Sequence, residues 1–297
     1  MKKTVFKGAA TALITPFRDG EVDTCAFGDI IEEQIDAGID ALVICGTSGE
    51  ASTLDDDEHI GAIDFAVRTV NGRVPVIAGT GSNDTRHGLN LSRRAEEAGA
   101  DALLVCTPYY NKTSQDGLIR MYNMFADSVD IPIIMYNVPS RTGLNIEPRT
   151  YAALADHPNI CAIKEANGNF SKIAETFALV GDKLDIYSGN DDQIVPILSL
   201  GGSGVISVLS NVLPAETSRM CHAYFEGSVR ESAEMQIKYQ PLIAALFSDV
   251  NPIPVKEAMA MLGKCDPELR LPLVRMSAEK AAALRKELNA AGLKTVN

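Results

Sequence analysis

One lysine stands where its amine could act as a nucleophile. The apolar run Ile160–Ile163 ends in Lys164. If this run is a buried strand, the amine at its end is drawn towards a dry interior, which lowers its pKa and frees the lone pair to attack a carbonyl carbon. The alternative is a lysine that points into solvent and pairs with Glu165. The residue by itself is compatible with both.

Other polar residues follow further apolar runs of the chain. Thr47 and Ser48, flanked by glycines, could present hydroxyl and backbone N–H groups to a carboxylate, although a plain Gly-rich turn has the same composition. Tyr136 could exchange protons with an intermediate on Lys164, and Arg141 offers a planar fork for a second carboxylate. The alternatives are a tyrosine that packs with its hydroxyl in water and a solvated arginine.

The elements that must position these residues are recognised by their apolar character. Eight runs are continuously apolar, as expected for parallel strands that are buried on both faces, and helical patterns separate them. The runs are Ala9–Ile14, Ala41–Cys45, Pro75–Ala78, Ala102–Cys106, Pro132–Tyr136, Ile160–Lys164, Asp185–Ser188 and Gly204–Val208. This alternation indicates an α/β protein, a (β/α)8 TIM barrel whose active site lies at the carboxyl ends of the strands.

The strand pattern ends after about Phe225. We therefore predict a catalytic barrel over residues 1–226, followed by a C-terminal helical region over residues 227–297. Three helical patterns lie in this second region, Val229–Phe247, Pro254–Leu262 and Ser277–Ala291.

Composition excludes several classes of function. Acidic residues outnumber basic ones by 39 to 27 without any Lys/Arg-rich stretch, so nucleic acid and anionic membranes are poor partners. No apolar run approaches the ~20 residues of a membrane-spanning helix. The six cysteines include no CxxC pair and the four histidines are isolated. These features predict a cytoplasmic enzyme that uses neither a metal nor another cofactor.

Five motifs occur in the order that is found in one enzyme family. They are Gly46–Glu50, Tyr109–Asn111, Tyr136–Gly143, Ile163–Ala166 and Ser188–Asp191. Together they resemble the motif set of the dihydrodipicolinate synthases, which belong to the N-acetylneuraminate lyase superfamily of pyruvate-dependent class I aldolases. The match extends from about Gly8 into the C-terminal helices, with Ser48 where many relatives carry threonine.

The resemblance implies a reaction and the residues that perform it. The expected reaction condenses pyruvate with L-aspartate 4-semialdehyde to 4-hydroxy-tetrahydrodipicolinate, in the diaminopimelate route to lysine. The expected assembly is a homotetramer, a dimer of dimers. The resemblance implies that Lys164 forms the Schiff base and that Tyr136 transfers protons, helped by Thr47 and by Tyr110 of a neighbouring subunit. Ser48 and the backbones of Gly189 and Ile206 should bind pyruvate. Arg141 should bind the carboxylate of the semialdehyde.

A second implied site concerns feedback by lysine. In lysine-sensitive relatives the inhibitor lies in a cleft between two subunits, and the matching positions here are Ala51, Ser52, Asp56, His59, Asn83, His87 and Tyr109. His87 stands where sensitive enzymes place a glutamate that accepts a hydrogen bond from the inhibitor's ammonium group, and a neutral imidazole has one acceptor nitrogen and no charge. Asp56 either turns inward to replace that acceptor or merely favours the start of a helix capped by Thr53. We predict weak or absent inhibition by lysine.

Two other functions share part of this pattern. Another pyruvate-dependent aldolase, such as an N-acetylneuraminate lyase or a keto-deoxy-sugar-acid aldolase, would use Lys164 and Tyr136 in the same way. Arg141 favours a small acidic aldehyde over a sugar. The more remote alternative is a non-catalytic barrel that binds a keto acid, and the combination of Lys164, Tyr136, Thr47 and Arg141 argues against it.

Overall fold

The computed structural model describes residues 4–296, within which eight parallel strands close into a barrel. Neighbouring strands follow one another in chain order, and the first strand closes the ring by pairing with the last. All eight predicted strands are confirmed, and with them the (β/α)8 fold. The strands are β1 (Gly8–Ala12), β2 (Ala41–Ile44), β3 (Val76–Gly79), β4 (Ala102–Cys106), β5 (Ile133–Asn137), β6 (Ile160–Glu165), β7 (Asp185–Ser188) and β8 (Gly204–Ser207).

Two apolar clusters explain why the strands are apolar on both faces. One cluster fills the inside of the barrel, and the other lies between the barrel and the helices. In β6, Ala162 belongs to the inner cluster and Ile163 to the outer one. Because residues two apart share a face of a strand, Lys164 faces the interior and Glu165 faces the helices.

Helices cover the outside of the barrel between successive strands. They are α1 (Thr24–Asp36), α2 (Asp56–Val70), α3 (Thr85–Glu97), α4 (Gln115–Ala126), α5 (Pro139–Thr142), α6 (Pro148–Leu154), α7 (Phe170–Val180), α8 (Ile194–Ser199) and α9 (Pro214–Phe225). Shorter elements are the 3-10 helices Ala51–Thr53, Asp191–Gln193 and Leu209–Asn211, and an antiparallel pair formed by Phe17–Arg18 and Glu21–Val22.

The start of α2 differs from the prediction. Asp55, not Thr53, is the N-cap residue, because its carboxylate accepts hydrogen bonds from the backbone N–H groups of Asp57 and Glu58 at 3.0 and 2.9 Å. The Glu58 side chain accepts in return from the Asp55 N–H at 3.2 Å, which completes a capping box. Thr53 instead ends the preceding 3-10 helix.

Three further helices follow the barrel, as predicted. They are α10 (Val229–Leu246), α11 (Ile253–Met261) and α12 (Ala278–Ala290). The last helix is anchored by Leu284 and Leu288, which are fully buried in the outer cluster. The boundary between residues 226 and 227 stays a prediction, and residues 1–3 and 297 lie outside the described part.

The C-terminal region is joined to the barrel by a buried ion pair. The amine of Lys256 in α11 donates to the carboxylate of Glu50, and both side chains are fully buried. Arg270 donates its backbone N–H to the same carboxylate at 3.1 Å and donates to the Glu58 carboxylate from Nη1 and Nη2 of its guanidinium group. Glu50 belongs to the loop after β2, so these contacts hold that loop against the C-terminal region.

Candidate active site

Lys164 lies inside the barrel, with 5% of its surface exposed. Its Nζ is 4.3 Å from the centroid of the Tyr136 ring, and the two residues are register partners on β6 and β5. Burial lowers the lysine pKa to about 7; Arg141 also lowers it, whereas the negative charge of Asp191 raises it. The neutral amine is therefore well populated near neutral pH. The alternative of a solvated lysine is wrong.

Glu165 is not the partner of that lysine, because it leaves the strand on the opposite face. Its carboxylate accepts hydrogen bonds from Asn137 Nδ2 at 3.0 Å, from the Tyr151 hydroxyl at 3.0 Å and from the Asn167 backbone N–H at 2.9 Å. Burial raises its pKa to about 7 despite these donors. Glu165 thus ties β6 to its neighbours and leaves the inner face to Lys164.

Tyr136 and Thr47 meet beside Lys164. Their side chains are hydrogen-bonded to each other, and burial raises the pKa of Tyr136 to about 12. At neutral pH the tyrosine therefore carries its proton and can donate it. The two residues belong to different strand ends, and the barrel brings them together because both lie at the carboxyl edge of the strands.

Ser48 and Arg141 are linked by a residue that sequence analysis missed. Asn251 lies between α10 and α11, and its amide nitrogen donates to the Ser48 hydroxyl at 3.1 Å. Its backbone carbonyl accepts from Arg141 Nη2 at 2.9 Å. Ser48 and Asn251 are buried, whereas Arg141 is exposed. The Asp249–Pro252 segment has the composition of an ordinary turn, so no local signal marks it.

Gly189 and Ile206 flank Lys164 on the side of β7 and β8. A Cβ on Gly189 would lie 3.2 Å from Lys164 Cγ and 2.8 Å from Ala166 Cβ, so the close approach requires glycine. Gly189 donates its N–H to the Glu165 carbonyl at 2.7 Å. Ile206 belongs to the cluster inside the barrel.

The other predicted catalytic residue, Tyr110, lies apart from this group. Its side chain is 92% exposed, and its backbone has φ +66°, which is unusual for a tyrosine. It follows β4, and within residues 4–296 no hydrogen bond or ring contact joins its side chain to Lys164, Tyr136 or Thr47.

One cavity of about 420 Å³ joins the site to most of the predicted regulatory positions. Its lining includes Thr47, Tyr136 and Arg141 of the site together with Ala51, Ser52, Asp56, His59, His87 and Tyr109 of the predicted regulatory positions. Asn83 is the exception among the predicted positions; its carbonyl accepts from Asn111 Nδ2 at 2.8 Å.

The two histidines of this cavity are both engaged. His87 Nε2 is 2.8 Å from Asp56 Oδ1, and its Nδ1 is 3.2 Å from the Ser82 hydroxyl. His59 is buried with Nε2 2.8 Å from the Gly79 carbonyl, and burial lowers its pKa. Asp56 therefore turns towards His87 rather than serving only the start of α2.

Within residues 4–296, the structure contains neither a cluster of metal-binding side chains nor a membrane-spanning helix. No group of three or more His, Cys, Asp or Glu side chains within residues 4–296 is arranged to hold a metal ion. Over the same residues, no helix combines the length and the apolar character needed to cross a membrane.

Comparison with known proteins decides the family. The model of the dihydrodipicolinate synthetase family matches residues 5–291. The chain belongs to this family. A relative from Caldicellulosiruptor bescii, a 4-hydroxy-tetrahydrodipicolinate synthase, is 53% identical over 286 residues, which cover 96% of this chain and 97% of the relative.

Solved structures of the family have the same fold. The crystal structure of dihydrodipicolinate synthase from Aquifex aeolicus has a TM-score of 0.96 and 45% sequence identity, and covers 98% of this chain and 100% of that one. A monomeric dihydrodipicolinate synthase variant has a TM-score of 0.96 and 42% identity, with 97% of this chain and 98% of that one covered. The family thus includes a monomeric variant, so family membership alone does not fix the assembly.

Proposed function

We propose that this chain condenses pyruvate with L-aspartate 4-semialdehyde to 4-hydroxy-tetrahydrodipicolinate, as a cytoplasmic enzyme of the diaminopimelate route to lysine. It is a lyase of the class I aldolase type and needs no cofactor. The observation that carries the proposal is the Lys164 amine, which is buried, has a pKa lowered to about 7 and faces Tyr136 at 4.3 Å. The names of relatives at about half identity over the whole chain support the choice of substrates.

The first half of the reaction activates pyruvate. The Lys164 lone pair attacks C2 of pyruvate, and a proton passes from the lysine nitrogen to the former carbonyl oxygen to give a carbinolamine. Tyr136 protonates that hydroxyl, which leaves as water, so that an iminium forms between Lys164 and C2. Thr47, hydrogen-bonded to Tyr136, passes the replacement proton. Ser48 binds the pyruvate carboxylate, with Gly189 and Ile206 along the pocket wall.

The second half forms the carbon–carbon bond. Loss of a proton from the C3 methyl group to the Tyr136–Thr47 pair converts the iminium to an enamine. C3 then attacks the aldehyde carbon, and the same pair returns the proton to the aldehyde oxygen, which becomes a hydroxyl. Arg141 holds the carboxylate of the semialdehyde through its guanidinium. The neutral amino group of the semialdehyde then adds to C2, and a proton passes from that nitrogen to the Lys164 nitrogen. The Lys164 amine leaves, the ring closes as an imine that releases its extra proton to solvent, and the enzyme is regenerated.

A coupled assay tests the choice of aldehyde. The protein is incubated with pyruvate and either aspartate semialdehyde or N-acetylmannosamine, and consumption of pyruvate is followed for each. Turnover with the semialdehyde alone is expected, because Arg141 at the cavity provides a cation that a neutral sugar does not need. Turnover with N-acetylmannosamine alone would assign the chain to the sugar-acid aldolases instead. Binding of pyruvate without turnover of either aldehyde would favour the non-catalytic barrel.

We also propose that Tyr110 completes the proton relay in a neighbouring subunit of a homotetramer built from two dimers. Its exposure of 92% and its unusual backbone φ of +66° support this, because an exposed aromatic held in a rare conformation commonly serves a contact outside its own chain.

Mixed dimers test the proposed role of Tyr110. Tyr110→Phe and Lys164→Ala chains should each be inactive, and their mixture should recover activity, since one site of each hybrid dimer then has both intact residues. Mixtures that exchange subunits without recovering activity would show that each chain uses its own Tyr110. A wild-type chain that is fully active as a monomer would likewise show that each chain uses its own Tyr110.

We further propose that lysine inhibits this enzyme weakly or not at all. Support comes from His87, whose two ring nitrogens already lie against Asp56 and Ser82, so that the imidazole has no free nitrogen to accept a hydrogen bond from an incoming ammonium group. Loss of a charge-assisted hydrogen bond weakens a ligand by ~1.5–3 kcal/mol, or roughly 10- to 150-fold.

Titration with lysine tests this proposal. Initial rates should be unaffected at about 0.1 mM lysine, a concentration that corresponds to ~5.5 kcal/mol of binding. The variant His87→Glu should be more sensitive than the wild type. Strong inhibition of the unmodified enzyme at that concentration would contradict the proposed role of His87.

A further inference from the structure

Asn251 is hydrogen-bonded to both side chains that are proposed to bind a substrate carboxylate, Ser48 and Arg141. Ser48 follows β2 and Arg141 follows β5, and Asn251 comes from the turn between α10 and α11, some two hundred residues after Ser48 in the chain. Its side chain contacts Ser48, whereas its backbone carbonyl contacts Arg141. With 6% of its surface exposed, Asn251 is almost inaccessible to water, so water competes little for these contacts.

The two distances between Asn251 and Ser48 show which group donates. Asn251 Nδ2 lies 3.1 Å from Ser48 Oγ, and Asn251 Oδ1 lies 3.5 Å from the same oxygen. A serine hydroxyl has one proton to donate and two lone pairs that accept. The shorter contact uses a lone pair of Ser48, and the longer one is at the limit of a hydrogen bond. The hydroxyl proton of Ser48 is therefore left for another acceptor.

A nearby contact fixes the segment that carries Asn251. Lys256, in the helix that begins two residues after Asn251, donates its backbone N–H to the Pro252 carbonyl at 2.9 Å. Its side chain is buried in the ion pair with Glu50, which belongs to the same loop as Ser48. The loop after β2 is thus held at two points by one short stretch of the C-terminal region.

We propose that Asn251 is a positioning residue for both substrates. Its side-chain amide holds the Ser48 hydroxyl so that the proton of that hydroxyl is directed to the carboxylate of pyruvate, and its backbone carbonyl holds Arg141 for the carboxylate of the aldehyde. This inference rests on the proposed function. It means that the C-terminal region, through Asn251, sets the distance between the two groups that bind the substrate carboxylates.

The division between side chain and backbone gives the proposal a distinctive test. Asn251→Ala removes the donor to Ser48 but keeps the backbone carbonyl for Arg141. KM for pyruvate should rise by ~3- to 10-fold, as for the loss of one hydrogen bond, while KM for the semialdehyde stays unchanged.

The variant Asn251→Asp keeps the shape of the side chain but has only hydrogen-bond acceptors. The new carboxylate therefore accepts the hydroxyl proton of Ser48 and places a negative charge beside the pyruvate carboxylate. KM for pyruvate should then rise by ~10- to 100-fold, more than in the alanine variant.

Asn211 provides a matched control. It is also buried, and its side chain donates to the Ala12 carbonyl at 2.9 Å and accepts from the Ile14 N–H at 3.1 Å, but it is not hydrogen-bonded to Ser48 or Arg141. Asn211→Ala and Asn211→Asp should lower the melting temperature and leave the ratio of the two KM values at its wild-type value. A general loosening of the fold would move both KM values together.

The outcomes separate this inference from the proposed function. Equal effects of Asn251→Ala and Asn251→Asp on KM for pyruvate, or parallel changes in both KM values, would overturn the role of Asn251 in an enzyme that is still active. A wild-type protein that does not condense the two substrates would refute the proposed function itself. If Asn251→Asp does not fold, a double-mutant cycle of Asn251→Ala with Ser48→Ala replaces it. Non-additive effects on KM for pyruvate support the proposal, and additive effects overturn it.

Discussion

Two buried lysines in this molecule differ in what faces their amines. Lys256 is fully buried and donates to the Glu50 carboxylate, with its Nζ 3.9 Å from the centroid of the Phe17 ring. Lys164 is almost as buried but faces the ring of Tyr136, and among residues 4–296 it has no ion pair within 4.0 Å.

The difference shows that burial alone does not make a lysine nucleophilic. Burial lowers the pKa of both amines, but the charge and hydrogen bond of Glu50 raise that of Lys256 again. A lysine bonded to a carboxylate keeps its proton and acts as a structural cation. Lys164 has only the charge of Asp191 acting in that direction, opposed by Arg141, so its amine can be neutral and reactive near pH 7.

Replacing Lys164 should have the largest effect on catalysis. Lys164→Met removes the nucleophile, so kcat should fall by on the order of 10⁴-fold or more, as when a covalent catalyst is deleted. Thermal unfolding should show no loss of stability, because a buried amine without an ion-pair partner is replaced by an apolar side chain of similar length. Residual activity close to that of the wild type would remove Lys164 from the mechanism.

Replacing Lys256 should lower the stability of the protein, which the replacement of Lys164 should not. Lys256→Met leaves the Glu50 carboxylate buried with a backbone N–H as its remaining donor, which should lower the free energy of unfolding by ~3–5 kcal/mol. Denaturant unfolding measures the loss. The double variant Lys256→Met, Glu50→Gln should recover part of it, since the uncompensated charge is then gone. If Lys256→Met were as stable as the wild type, the ion pair would not hold the loop after β2 in place.

A smaller, graded effect is expected from pH. The neutral form of Lys164 is the nucleophile, so the rate of Schiff-base formation should rise about tenfold per pH unit below the lysine pKa and level off above it. With a pKa of about 7, the rate should level off near pH 7. Stopped-flow measurement of pyruvate binding gives the profile. A rate that still rises above pH 9 would mean that the amine has the ordinary pKa of a solvated lysine.

The strands and their order were predictable because buried parallel strands are continuously apolar over a few residues. The direction of Lys164 was not, because both faces of β6 are apolar and the sequence gives no contrast between inside and outside. The capping of α2 was misassigned to Thr53 because several consecutive residues there can cap a helix, and only the backbone geometry selects Asp55. Asn251 could not be found at all, since its contacts join residues that are distant in the chain.

Reductive trapping of the pyruvate adduct tests the central claim most directly. The wild-type protein is treated with pyruvate and borohydride and digested, and the modified peptide is identified by mass spectrometry. We expect a single reduced pyruvyl adduct on Lys164, with Lys256 unmodified and activity lost in proportion to the modification. An adduct on another lysine, or full inactivation without any adduct, would contradict the assignment of Lys164 as the residue that forms the Schiff base.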